Sequence, residues 1–99
     1  MQIDHMVWIR FHDGVSDERI ASHLEGLAGL AERVPGIVAL SVGPNLSPGR
    51  SGGFTHGLYV RLESEAALRA YGPHPEHQRV AAALQQDAEL AALDIAAEP

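Results

Sequence analysis

Four side chains of this 99-residue chain combine type and position in a way that could do chemistry. His5 and His56 interrupt the apolar faces of two alternating, strand-like segments. His77 falls in the first turn of a helix-like segment, and Tyr71 lies on the short helix-like stretch before it. Imidazole titrates near neutrality, so one ring can act as a base while a phenol and other imidazoles hold a carbonyl oxygen. Each residue also has a plainer role open to it. A single histidine on a buried strand is commonly a core residue satisfied by one hydrogen bond, and a single tyrosine commonly packs. The case for chemistry is the coincidence of all four on inward faces, because an apolar cavity with a few convergent polar groups is the usual form of a small-molecule site. His12, His23 and His74 fall on solvent sides or in turns and are assigned no chemistry.

Composition narrows the chemistry further. There is no cysteine and no lysine, hence no thiol nucleophile, disulfide, thiolate metal site or Schiff base. The one Gly-x-Ser-x-Gly match, Gly49–Gly53, lies within a glycine-rich loop and opens no helix, so it is no nucleophile elbow. Three histidines can hold zinc, but the pair His74-x-x-His77 is constrained by Pro75, and no Asp or Glu shares the inward faces. No metal and no cofactor are expected. The run Pro48–Gly53 matches no phosphate cradle, and its glycines suit a mobile flap at a pocket rim. Proton transfer, or no chemistry at all, is what remains.

The elements that must position these groups follow from periodicity. Residues 3–12 alternate, with Ile3, His5, Val7, Ile9 and Phe11 on one face and Asp4, Met6, Trp8, Arg10 and His12 on the other, the period of a strand. Ser16 is placed to cap a helix of about 18 residues whose apolar stripe is Ile20, Leu24, Leu27, Ala31 and Val34, ended by Pro35-Gly36. A short strand at 37–42, a glycine- and proline-rich loop at 43–53 and a strand at 54–63 follow, the last with Phe54, His56, Leu58, Val60 and Leu62 on one face. Ser64 caps a short helix through Tyr71, Pro75 begins another, and Leu90–Ala97 alternates as a closing strand, with helix a competing reading there. The order β-α-β-β-α-β defines one α+β domain over residues 1–99 with the ferredoxin-like arrangement.

Helices cover one face of such a sheet. Met6, Trp8 and Tyr59 lie on the other, and large apolar side chains are not left in water as a patch without reason. A second copy packing sheet to sheet would cover them, so a homodimer with a barrel-like core is expected. The net charge of −6 opposes nucleic-acid binding. The longest apolar run, Val80–Leu84, falls far short of the roughly 18 residues of a membrane span. With an acid at position 4 and no basic leader, the expectation is a soluble cytoplasmic protein without membrane partners. Arginine without lysine points to a GC-rich bacterial genome.

The segments His5-Met-Val-Trp-Ile-Arg-Phe, Pro35-Gly-Ile-Val, Gly43-Pro-Asn-Leu-Ser, Gly53-Phe-Thr-His56-Gly-Leu-Tyr-Val and Ala70-Tyr71-Gly-Pro-His74-Pro-Glu-His77 resemble the stress-responsive dimeric α/β barrel (Dabb) family over nearly the whole chain. The resemblance implies a ferredoxin-like protomer paired sheet to sheet. Most members of the family are described only as stress-induced. Some are polyketide cyclases that close a poly-β-keto chain by intramolecular aldol condensation without metal or cofactor. For those, the resemblance implies that His77 and Tyr71 work as the acid/base pair and that His5 and His56 line the pocket. Leu27 stands where the cyclases have a second tyrosine on the first helix, so a hydroxyl is missing from the substrate-binding wall. Two readings stand side by side: a cofactor-independent cyclase or lyase acting on a polyketide-like or β-dicarbonyl compound, and a non-catalytic stress-responsive dimer that binds a small apolar ligand or serves a structural role.

Overall fold

The computed structural model describes residues 1–97. The alternation of residues 3–11 becomes β1 (Ile3–Phe11), the strand around which the sheet is assembled. It pairs antiparallel with β3 (His56–Leu62) on one side and with β4 (Ala88–Ala96) on the other. The remaining strand, β2 (Ile37–Pro44), adds antiparallel to the outer edge of β3, giving the order β2-β3-β1-β4. Helices α1 (Asp17–Ala28) and α2 (Leu30–Arg33) connect β1 to β2, while α3 (Glu65–Tyr71) and α4 (Pro75–Asp87) connect β3 to β4. This is the expected α+β, ferredoxin-like arrangement, with the helices packed on one sheet face.

The helix starts are chemical. Ser16 Oγ accepts from the Arg19 amide at 3.2 Å, and Ser64 Oγ accepts from the Ala67 amide at 3.1 Å, which satisfies donors that have no partner within a helix. His74 does the same for α4 through Nδ1, accepting from the Glu76 amide at 3.1 Å. Gly36 turns the chain into β2 with a φ of +91°, and a Cβ there would lie 2.8 Å from the Cβ of Ala67. Only glycine fits both the dihedral and the approach of α3.

The expected single helix over 17–34 is interrupted at Gly29, where α1 ends and α2 begins. The restart changes which residue turns inward. Leu30 is fully buried, whereas Ala31, expected on the stripe, is exposed. Leu27, Leu30 and Val34 pack with Val80 and Leu84 against Ile3, Val7, Ile9, Leu58, Val60 and Leu62, so side chains fill the middle of the space between helices and sheet.

Among the described residues Asp87 is the one charged group buried with this core, at 7% exposure. His23, expected on the solvent side, instead donates from Nε2 to Asp87 Oδ2 at 2.7 Å, and Arg19 reaches both carboxylate oxygens at 2.7 Å. The cluster ties α1 to the end of α4, and the His23 ring stacks on Phe11. The hydrogen bonds from His23 and then Arg19 hold the Asp87 carboxyl below its ordinary pKa. An unfolded chain therefore takes up this proton first as the pH falls below about 4, and stability present above that value is lost as the pH drops through the lowered pKa. Thermal unfolding between pH 7 and pH 2 tests this. Asp87→Asn should be less stable than the wild type at pH 7, with the gap closing in acid; parallel profiles would remove the cluster from the stability of the fold.

Candidate functional site

The period-two alternation of β1 puts His5 on the helix side, and the register aligns it with Val60 of β3 and Asp94 of β4. Asp94 shares His5's face because directly paired residues point the same way. Their side chains meet, with His5 Nδ1 2.5 Å from Asp94 Oδ1. An ionised carboxylate only accepts, so the imidazole hydrogen sits on Nδ1 and Nε2 keeps its lone pair. Asp94 is half exposed, whereas the His5 side chain is only 12% exposed.

Tyr71 ends α3 and lies over His5, the two rings 5.3 Å apart edge to face. His77, in the first turn of α4, comes to 4.4 Å from the same tyrosine ring. Its Nδ1 lies 2.9 Å from the Gly72 carbonyl oxygen. A carbonyl only accepts, so this nitrogen donates and Nε2 is left as the basic atom. The turn at Gly72-Pro73 thus fixes both the position and the tautomer of His77.

Tyr71 is 2% exposed, and its hydroxyl oxygen is buried without a hydrogen-bond partner. Burial, and secondarily the negative charge of Asp94, push the phenol up to about 12. At neutral pH the hydroxyl is therefore a proton donor without a hydrogen-bond partner, on a ring that packs against the imidazoles of His5 and His77. A recess of about 270 Å³ opens beside Asp94, bounded by Ile3, Leu68 and Arg69.

Three of the four expected residues are thus brought together, and His56 is not. It pairs with Ile9, four positions along β1 from His5, and packs edge to face on Phe11 at 5.0 Å. Its Nδ1 is 2.9 Å from Thr55 Oγ1, and burial lowers its pKa. Leu27 is buried in the core among apolar neighbours. Asp94 was missed by sequence reasoning. Its signal was available in the closing strand, where an acid breaks the alternation on the face that pairs with His5.

The loop expected as a flap over this site lies elsewhere. Asn45 Nδ2 donates to Ser51 Oγ and to the Phe54 carbonyl, and Arg10 donates to the Gly52 carbonyl. Arg10 also lies 4.6 Å over the Phe54 ring, which contacts Trp8. The loop is pinned at the sheet face away from the helices, where with Met6, Trp8 and Tyr59 it encloses an open recess of about 580 Å³.

A four-stranded antiparallel sheet with its helices on one face and the other face bare defines the class of fold, ferredoxin-like. A dimeric ferredoxin-like protein of unknown function from Jannaschia sp. CCS1 superimposes with a TM-score of 0.85 at 26% identity, covering 97% of this chain and 99% of that one. A crystal structure from Arabidopsis thaliana gives a TM-score of 0.89 at 26% identity over 98% of this chain and 96% of that one. The stress-response A/B barrel domain-containing protein HS1 of Arabidopsis thaliana is 32% identical over 76 residues, 76% of this chain and 70% of HS1. The model of the stress-responsive A/B barrel domain (Dabb) matches residues 3–94, and the chain belongs to that family.

Tyr71 gives the site a spectroscopic handle. Comparing phenol titrations of the wild type and Tyr71→Phe should show that the variant lacks an ionisation near pH 12. A missing step near pH 10, the ordinary tyrosine value, would mean that the hydroxyl is solvated.

Proposed function

We infer that the protein is a cofactor-independent acid–base catalyst acting on a carbonyl compound of the β-dicarbonyl or polyketide-like class, a cyclase or lyase, and that it works as a homodimer. One observation carries the catalytic reading: the phenol of Tyr71, a buried donor without an acceptor, belongs to a ring packed against those of His5 and His77. A buried hydroxyl left unpaired is destabilising by about 1–3 kcal/mol, and a carbonyl oxygen is the acceptor that would relieve it.

The roles follow from the hydrogen bonds. His77 Nε2 takes the acidic proton from the carbon between two carbonyls. Tyr71 donates to the carbonyl oxygen as it becomes an enolate. His5, backed by the carboxylate of Asp94, adds a cationic donor to that oxygen when protonated. In a cyclase the enolate carbon then bonds to a second carbonyl carbon of the same molecule, and the resulting alkoxide takes a proton from Tyr71, which His77 restores. His56 has no part in this scheme, and Leu27 contributes apolar wall only.

The packed core at Leu27 favours the second reading, a stress-responsive dimer without catalysis. Histidine ring NMR separates the two. With a β-diketone probe, His77 and His5 signals should shift in the catalytic case and stay fixed where the histidines serve only the core. On a poly-β-keto substrate that the wild type converts, His77→Ala should lower turnover about 10²–10⁴-fold with the dimer intact, and wild-type turnover in this variant would remove His77 from catalysis.

The homodimer rests on the bare sheet face, where Trp8 is 47%, Leu93 54% and Ile95 45% exposed, and on the dimeric state of the Jannaschia relative. Light scattering at micromolar concentration should give twice the 10.6 kDa chain mass; a species of single mass would overturn it. Among the described residues no helix is long and apolar enough to cross a membrane.

A further inference from the structure

The atoms around Tyr71 also set the charge of what they accept; this inference rests on the acid–base reading above and names the substrate class more closely. His5 Nδ1 is committed to Asp94, and His77 Nδ1 to the Gly72 carbonyl. Each imidazole therefore has only the lone pair of Nε2 left to offer. The Tyr71 hydroxyl is the one donor of the three groups without a partner. One donor and two acceptors are thus left for a ligand. A carboxylate only accepts, so it can engage the phenol but gives nothing to either lone pair. A neutral carbonyl compound with N–H, O–H or acidic C–H hydrogens beside its carbonyl can satisfy all three.

Charge points the same way. With both imidazoles neutral, the group carries the single negative charge of Asp94. Among the described residues the ion-pair partner of Asp94 is His5 alone. Arg69 of α3, which lines the same recess as Asp94, pairs with Glu65 at 3.7 Å, so those two add no net charge. The field of Asp94 reaches Tyr71, where it adds to burial in pushing the phenol up to about 12. The whole chain, at −6, repels anions at longer range. Moving a proton from a neutral substrate to His77 leaves the net charge of the site unchanged. A substrate that arrives as an anion brings a second negative charge before any reaction begins.

We propose that the site selects neutral β-dicarbonyl compounds, those whose terminal carboxyl is absent or carried as an ester or amide, and that the carboxylate of Asp94 excludes the free acids. Asp94 is then a specificity-determining residue that acts through its charge and not through contact with the reacting carbons. The reaction that supplies the substrate must leave its carboxyl esterified or amidated, or remove it as carbon dioxide.

Acetoacetamide and acetoacetate test this, because they share one shape and differ in charge and in N–H donors. Histidine ring NMR of the full chain at neutral pH gives a dissociation constant for each. The amide should bind about 10-fold more tightly, the order exerted by like charges roughly 10 Å apart at an effective dielectric constant of about 20. Asp94→Asn keeps an oxygen to accept from His5 and removes the charge. It should tighten acetoacetate severalfold and leave acetoacetamide unchanged, whereas structural damage would weaken both. Should that variant misfold, raised salt on the wild type makes the same comparison, since a half-exposed charge is screened; acetoacetate alone should tighten. Acetoacetate binding as well as the amide, or a gap untouched by both Asp94→Asn and salt, would overturn the selectivity and leave the acid–base reading in place. Binding of neither probe would overturn both.

Discussion

The structure depends on the double pairing of β1. A strand hydrogen-bonded on both edges cannot slip without breaking two ladders, and a slip of one residue would send every side chain to the opposite face. Its register commits Ile3, His5, Val7, Ile9 and Phe11 to the helix side and Asp4, Met6, Trp8 and Arg10 to the other. Two juxtapositions descend from that partition. His5 finds Asp94 because β4 pairs in this register, and Trp8 stands beside Gly57 because β3 does.

This partition was legible in the sequence because strand period is local. So were the serine caps at 16 and 64, Pro75 at the start of α4, and the punctuation at Pro35-Gly36. The break at Gly29 was not, since a glycine inside a helical stripe is usually tolerated. The inward turn of Leu30 in place of Ala31 follows from the restart of the helix there. Asp87 and Asp94 escaped notice for another reason. Their partners lie 64 and 89 residues away in sequence, and no periodicity reports such pairings. For His56, face parity was read correctly but depth was not: alternation says which side of a sheet a residue faces, not how far along the strand it lies from its supposed neighbours.

Two histidine–aspartate pairs bracket the helix–sheet layer, and their surroundings separate their roles. Asp87 is buried, accepts from His23, and has both oxygens taken by Arg19. Its charge is matched, and a group so fully engaged stabilises the fold and has nothing free to offer a ligand. Asp94 is half exposed and meets His5 alone. Its field reaches Tyr71, where it adds to burial in keeping the phenol protonated.

The Tyr71 hydroxyl makes the difference physical. Phenylalanine would fill the same volume beside the two imidazoles without burying an unpaired donor, so for packing alone the hydroxyl is a net loss of stability. Sites that bind or transform ligands hold such unrelieved groups, because the relief arrives with the ligand and not with folding. In the proposed reaction, a donor whose pKa burial pushes up to about 12 is matched to an oxygen acquiring negative charge, and the lone pair on His77 Nε2 is matched to the proton whose removal creates that charge.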